Sequence, residues 1–245
     1  MIKKCEYCNK EFETPTKHSH QRFCCKSCSV QARSKEDVGL FNNNIDDKII
    51  KYIIGLILSD GCITTNGKKK VIVISLKDQY MIQYIRDLVC PTKKVYKDGI
   101  NYQVRWRNQT DVETLYQLGI TERKSLTTIF PKFDNENNIW HFIRGVFDGD
   151  GSVYNDHHYD KKYNKDYYYT RISISTASSQ FANELNSFLH KYNINSRINK
   201  DNRNRDMYYI QISKQNDVKL FAQLIYQDSN QWKLIRKYNI FYNLQ

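Results

Sequence analysis

Acidic residues, proline, glycine and long apolar runs are all scarce in this chain, and each scarcity removes a class of protein. Among 245 residues, 26 Asp and Glu face 38 Lys and Arg, a formal net charge of +12. An excess of that size on a soluble protein commonly serves a polyanion, so nucleic acid is the first expected partner. Mean hydropathy is −0.71, and no stretch approaches the ~18 to 20 consecutive apolar residues of a membrane helix. The start, MIKKCEYCNK, lacks the apolar run of a secretory signal, so the expected location is the cytoplasm or an organellar matrix. Only 3 Pro and 9 Gly stand beside 19 Tyr and 11 Phe, a composition too aromatic and too poor in breakers for a disordered chain.

What is there is unevenly placed. Five of the seven cysteines fall in the first 28 residues, at Cys5, Cys8, Cys24, Cys25 and Cys28. In a reducing compartment the spacing C-x2-C, fifteen residues, C-x3-C suits two knuckles gripping one zinc ion. The expected ligands are Cys5, Cys8, Cys24 and Cys28, with Cys25, His18 or His20 as possible replacements for one of them. A structural Zn2+ would stabilise a segment too small to hold a core of its own. The block FCCKSCSVQARS resembles short treble-clef-like zinc ribbons found beside nucleic-acid enzymes. The expected organisation is a zinc module at 1–33, a polar linker at 34–47, and two halves at 48–132 and 133–245. Their formal charges are +4, −3, +8 and +3.

The halves are inferred from a repeat. KYIIGLILSDGCI at 51–63 recurs as HFIRGVFDGDGSV at 141–153, ninety residues on. Each copy is an apolar run ending in Asp-Gly, with small residues four apart: Gly55 and Ser59, then Gly145 and Gly149. On a helix these share one face and allow another backbone to come close, and the obvious partner is the other copy. Gly61 and Gly151 would act as the residues that stop each helix. Asp60 and Asp150 then sit at the negative end of their helix dipoles and near each other, a double penalty unless something cationic neutralises them. Asp-Gly is also an ordinary helix stop, but two copies with matched small residues favour a site. Divalent cations there would build a phosphoryl-transfer centre.

After each motif the pattern turns to period two, then back to helix. Ile72, Ile74 and Leu76 alternate with Ser75 and Lys77; Tyr102, Val104 and Trp106 alternate with Gln103, Arg105 and Arg107. The second half repeats this, with Ile172 and Ile174 against Arg171, Ser173 and Ser175, and with Ile210 and Ile212 against Tyr209 and Gln211. These are half-buried antiparallel strands whose polar faces carry Arg and Gln, the side chains that pair bidentately with guanine and adenine in the major groove. Helices are expected at 77–89 and 178–192, offset by 100 where the motifs are offset by 90. A tyrosine-rich loop at 155–169 accounts for the extra ten.

GLILSDG and GVFDGDG resemble the two copies of the LAGLIDADG motif, and the likeness runs from Lys48 to the end. The resemblance implies an α+β fold of two pseudo-symmetric αββαββα halves, with motif helices at the centre and sheets forming a DNA-binding saddle. It also implies a monomeric homing endonuclease that uses Mg2+ to break both strands of a long asymmetric site. Carried over residue by residue, the metal set is Asp60 and Asp150 with Gly61 and Gly151. LGITERKSL and QWKLIRKYNIF resemble the blocks holding a catalytic lysine, which makes Lys124 and Lys237 the candidates. The DNA-facing set is Ser75, Lys77, Gln103, Arg105, Arg107, Arg171, Ser173, Ser175, Tyr209 and Gln211. A non-cleaving binder of the same fold, either a maturase acting on group I intron RNA or a DNA-binding regulator, is the rival reading.

Overall fold

A computed structural model describes residues 1–15, 20–34, 37–42, 44–67, 69–201 and 207–242. It divides into two units, Met1–Asp37 and Val38–Gln245. The smaller holds an antiparallel ribbon of β1 (Ile2–Lys4) and β2 (Glu11–Glu13), followed by α1 (Lys26–Ser34). Its strands are three residues each, too short to bury a core.

The larger unit begins inside the expected linker. Leu40 is fully buried, and the Leu40 and Phe41 amides donate to the Asp111 carboxylate at 2.7 and 3.1 Å. Asp111 also accepts from the Trp106 indole at 2.6 Å. The polar letters of 34–47 thus mislead from Val38 onward, because a buried carboxylate 70 residues away satisfies their backbone.

The first half runs α2 (Asp47–Asp60), β3 (Gly61–Asn66), β4 (Lys69–Leu76), α3 (Gln79–Val89), β5 (Tyr96–Asp98), β6 (Asn101–Trp106) and α4 (Gln109–Gln117). A single 3-10 turn at Lys124–Leu126 follows. The second half repeats the order as α5 (Ile139–Asp150), β7 (Gly151–Asp160), β8 (Lys165–Thr176), α6 (Ser179–Lys191), β9 (Arg197–Asp201), β10 (Met207–Ile212) and α7 (Gln215–Tyr226), with α8 (Ile235–Tyr242) added. Each half is αββαββα, as the resemblance implies. The antiparallel sheets have matching orders, β3-β4-β6-β5 and β7-β8-β10-β9. Alternation places Ile72, Ile74, Val104 and Trp106 under α3, and Ile172, Ile174, Ile210 and Ile212 under α6, all fully buried.

The motif helices are buried all round, from Lys51 to Leu58 in α2 and from His141 to Asp148 in α5, which marks them as the centre of the core. They pack on each other through the small residues the repeat singled out. A Cβ built on Gly55 would run into the Phe142 carbonyl and lie 2.8 Å from Gly145 Cα; one on Gly145 would meet the Tyr52 carbonyl. Ser59 and Gly149 meet in the same way one turn later.

Two expectations are corrected. Gly61 and Gly151 do end their helices, but in extended backbone and not in the left-handed conformation of a glycine cap: φ is −107° and −85°, and the chain passes straight into β3 and β7. Glycine is needed there because a Cβ would strike the preceding turn, at Ile57 and at Phe147. The tyrosine-rich segment is no loop either. β7 and β8 stay in register out to Asp160↔Lys165, leaving a turn at 161–164. The run of Tyr and His facing one another across the ribbon favours strand pairing over loop. Among the described residues no helix is long and apolar enough to cross a membrane.

Gly55→Ala or Gly145→Ala should lower unfolding free energy by about 3 kcal/mol or more, because backbone must move to admit the methyl. Gly99→Ala, in open space but with φ of +59°, should cost only about 1 kcal/mol. Chemical denaturation of the three variants measures the contrast, and equal losses would refute the close approach.

Candidate functional site

Helix packing decides where the acids go. Asp60 and Asp150 are the last residues of α2 and α5, so a close crossing one turn earlier delivers both carboxylates to one place. A Cβ on Gly149 would lie 3.3 Å from Asp60 Oδ2. Burial raises Asp60 above the usual carboxylate range, against the pull of Lys237, Arg236 and Lys124. Burial, and then the charge of Asp60, pushes Asp150 up to about 6.

The two expected lysines arrive here, each on the half that supplies it. Lys124, only 7% exposed, donates to the Gly61 carbonyl at 2.5 Å. Lys237, on α8, donates to the carbonyls of Gly151 at 2.5 Å, Phe147 at 2.7 Å and Asp148 at 2.7 Å. Both ammoniums therefore cap the carboxyl end of a motif helix, where a cation offsets the dipole that the aspartates oppose. Burial lowers both, Lys237 to about 8 and Lys124 in the same direction. The Gly61 and Gly151 carbonyls, expected beside the metal, are taken by lysine nitrogens.

A buried cluster behind α5 was missed. Asp148 Oδ2 accepts from the Tyr52 hydroxyl at 2.8 Å and from the Leu234 amide at 3.0 Å, and burial pushes this carboxyl up to about 6. Arg144 Nη1 donates to the Ile225 carbonyl at 2.8 Å and contacts His141 Nδ1 at 2.7 Å. Burial, and then Arg144, hold His141 down at about 4, a neutral acceptor at pH 7. This cluster ties both motif helices to the segment leading into α8 and so to Lys237. The signal was available: Asp148 aligns with Leu58 in the first copy, and that mismatch marks a carboxylate present in one copy of the motif only.

Beside the acids lie the open faces of the sheets. In the first, strand register sets Cys62, Val73 and Arg105 in one row and Ser75, Gln103 and Tyr96 in the next. Lys77 is exposed past the end of β4, and Arg107 is half-buried past the end of β6. Gln103 is nearly covered: its amide donates to Asp98 at 2.7 Å and its oxygen accepts from Arg105. In the second sheet Ser152, Ser173, Gln211 and Arg197 form one row and Ser175, Tyr209 and Asn199 another. Ser152, Tyr154, Ser173, Asn199, Tyr209 and Gln211 line a shallow open cleft. Arg171 pairs with Asp156 at 3.0 Å. Ser175, expected to face a ligand, instead donates to the Asp150 carbonyl at 3.1 Å and supports the carboxyl end of α5.

In the smaller unit the sulfurs of Cys5, Cys8, Cys24 and Cys28 all lie within 4.8 Å of one another. The Cys8 and Cys24 sulfurs are 3.6 Å apart, and those of Cys24 and Cys28 3.5 Å. Cys25 is exposed and accepts from the Cys28 amide at 3.4 Å, outside the cluster. His20 is exposed and outside it too, while His18 lies outside the described residues. The Cys28 thiol is pushed far up, first by its hydrogen bond to the Cys24 sulfur. Four sulfurs this close favour a bound cation over four free thiols.

The strained carboxylates give a stability prediction. The folded-state pKa of Asp150 lies near 6, above the unfolded value near 3.8. The folded protein therefore carries a penalty above pH 6 that fades as pH falls towards 4. Without added metal, Asp150→Asn should be more stable than the wild type at pH 7.5 by about 1–3 kcal/mol. The gain should shrink on acidification, which urea unfolding at several pH values would reveal.

Residues 49–122 match a family model described as the WhiA LAGLIDADG-like domain, and residues 138–226 match one described as a LAGLIDADG-like domain. No curated protein matches the chain by sequence. Among solved structures, the I-SmaMI LAGLIDADG homing endonuclease bound to cleaved DNA aligns with a TM-score of 0.54 at 14% identity, over 82% of this chain and 88% of that one. I-SmaMI bound to uncleaveable DNA with a TTGT central four gives 0.54 at 14%, over 78% and 85%. The LAGLIDADG meganuclease I-AabMI bound to uncleaved DNA gives 0.52 at 13%, over 72% and 82%. Such identities speak for the fold, and the family models locate one domain on each half. The chain is a two-domain LAGLIDADG protein.

Proposed function

We propose that this protein is a site-specific DNA endonuclease that hydrolyses one phosphodiester on each strand of a long asymmetric target. The observation that carries the reading is the pairing of Asp60 and Asp150, two carboxylates brought together at the ends of packed helices, with one buried lysine per half beside them. A protein that only bound a polyanion would gain nothing from negative charge at its centre. A protein of the same fold, I-SmaMI, is described as a LAGLIDADG homing endonuclease bound to cleaved DNA, which agrees with it. Two unlike halves in one chain suit a monomer reading an asymmetric site.

The carboxylates fit a hard divalent cation such as Mg2+, being oxygen donors whose charge is disfavoured by burial and, at Asp150, by the neighbouring Asp60, a cost that a bound cation would offset. A cation held by Asp60 and Asp150 would supply Lewis-acid stabilisation of charge on the phosphate. The chain's own contribution is electrostatic and positional. Lys124 and Lys237, fixed by backbone carbonyls, place ammoniums where charge develops as water attacks phosphorus and the deoxyribose oxygen leaves. With a pKa near 8, Lys237 can also exchange a proton at Nζ near neutrality. The sheet faces orient the duplex, Lys77, Arg107 and Arg171 towards phosphates and Arg105, Tyr209 and Gln211 towards base edges.

A non-cleaving nucleic-acid binder of the same fold, whether group I intron maturase or DNA-binding regulator, is the second reading. It is favoured by the first half matching a different LAGLIDADG-like model from the second. Incubating a randomised plasmid library in Mg2+ and in Ca2+ separates the two. The nuclease reading expects linear product in Mg2+ alone. Asp60→Asn and Asp150→Asn should each keep DNA affinity within a few-fold and abolish double-strand cleavage; unchanged cutting by either variant would overturn it.

The four-cysteine cluster is inferred to hold Zn2+, four soft thiolates being the donor set of a structural zinc site. Chelation of the full chain should open new proteolytic sites within residues 1–37 while leaving the melting temperature of the larger unit unchanged. Elemental analysis showing no metal in the purified protein would contradict the assignment.

A further inference from the structure

The open face of the first sheet carries a side-chain chain that links an acid on β5 to an arginine on β6. Asp98 and Gln103 sit on adjacent strands, and Gln103 Nε2 donates to Asp98 Oδ2 at 2.7 Å. Gln103 Oε1 in turn accepts two bonds from Arg105, from Nε at 3.1 Å and from Nη2 at 2.6 Å. The Tyr96 ring lies 5.8 Å from the Arg105 guanidinium carbon. Gln103 is 9% exposed, whereas Arg105 stands out in solvent. At the matching place in the second sheet Gln211 takes the position of Arg105 and its oxygen accepts from Asn199 at 2.8 Å, with Asp201 at the strand position that matches Asp98.

The bonding decides what each side chain has left to offer. To read adenine, a glutamine must present an acceptor and a donor together. Gln103 has given its oxygen to two guanidinium bonds and a donor to Asp98, and little of it reaches solvent. Arg105 has spent Nε and one Nη2 hydrogen, which leaves the end of the fork, Nη1 with the other Nη2 hydrogen, pointing away from its anchor. A pair of parallel donors on a fixed plane matches a base edge with two acceptors, and in the major groove only guanine shows that edge, N7 with O6. Asp98 polarises the amide and strengthens its hold on the guanidinium, and Tyr96 restrains the plane.

We propose that Asp98, Gln103 and Arg105 form a relay that fixes the Arg105 guanidinium as a guanine reader, with Gln103 a positioning residue that reads no base. The proposal rests on the reading that this sheet face meets a DNA duplex. It demands one guanine in the half-site under the first sheet, and it holds whether or not the protein cleaves.

Selection of bound duplexes from a randomised pool, with the full-length protein in Ca2+, tests it. The wild type should enrich sequences with a guanine whose replacement weakens binding by roughly ten- to a hundred-fold. Arg105→Lys should erase the preference at that position alone. Gln103→Leu and Asp98→Ala should broaden the same position and no other, and Gln211→Ala should affect a different one. The double variant Asp98→Asn/Gln103→Glu, in which an amide at 98 donates to a carboxylate at 103 that still accepts from Arg105, should restore the guanine. Unchanged melting temperatures exclude misfolding as the cause. If Gln103→Leu broadens a position other than the one Arg105→Lys affects, Gln103 reads its own base and the relay is refuted. If neither variant changes any position, it is likewise refuted while sequence-specific binding stands. If the wild type enriches nothing, the DNA-reading function falls and the relay falls with it.

Discussion

Everything in the larger unit follows from two backbones meeting where Gly55 and Gly145 leave out their side chains. The contact fixes how α2 and α5 cross, and the crossing fixes where their last residues lie. Asp60 and Asp150 are not placed by loops of their own. They are the ends of rods whose position is set by close packing a turn away, so the centre is as rigid as the core. The same rods pass directly into β3 and β7, which carries the geometry of the centre into the two open sheet faces.

Such placement costs stability. Two carboxylates oppose two helix dipoles and each other, and neither is fully solvated. The lysines offset part of this by donating to the carbonyls at the helix ends, and burial in turn lowers both ammoniums. A site holding acids above and lysines below their ordinary values is poised to take up a cation and an anionic ligand together. The halves are nonetheless unequal. Asp148 belongs to the second motif helix alone, Leu58 standing in its place in the first, and the relay through Gln103 lies on the first sheet. One chain can therefore treat the two sides of a target differently.

Much of this was legible in the sequence because it is written in short-range periodicity. The repeat of Gly and Asp at matched offsets gave the helix pair, and alternation about Ile72, Val104, Ile172 and Ile210 gave the strands and their faces. What stayed hidden depends on partners far along the chain. Nothing local to Gly61 announces that Lys124 will occupy its carbonyl, or that Ser175 will turn inward to Asp150. The segment 155–169 misled because its polar residues look like loop while their pairing across β7 and β8 makes strand. Leu40 misled in the same way, since its amide is satisfied by Asp111, 71 residues on.

The central claim is that Asp60 and Asp150 share one electrostatic site. The most direct measurement is a carboxyl-carbon NMR titration of Asp150 in the wild type and in Asp60→Asn, without divalent metal. The account predicts an apparent pKa near 6 in the wild type that falls when Asp60 loses its charge yet stays above the usual carboxylate range, because burial remains. A value that is the same in both proteins would mean that the two acids do not sense each other, and the composite centre described here would be wrong.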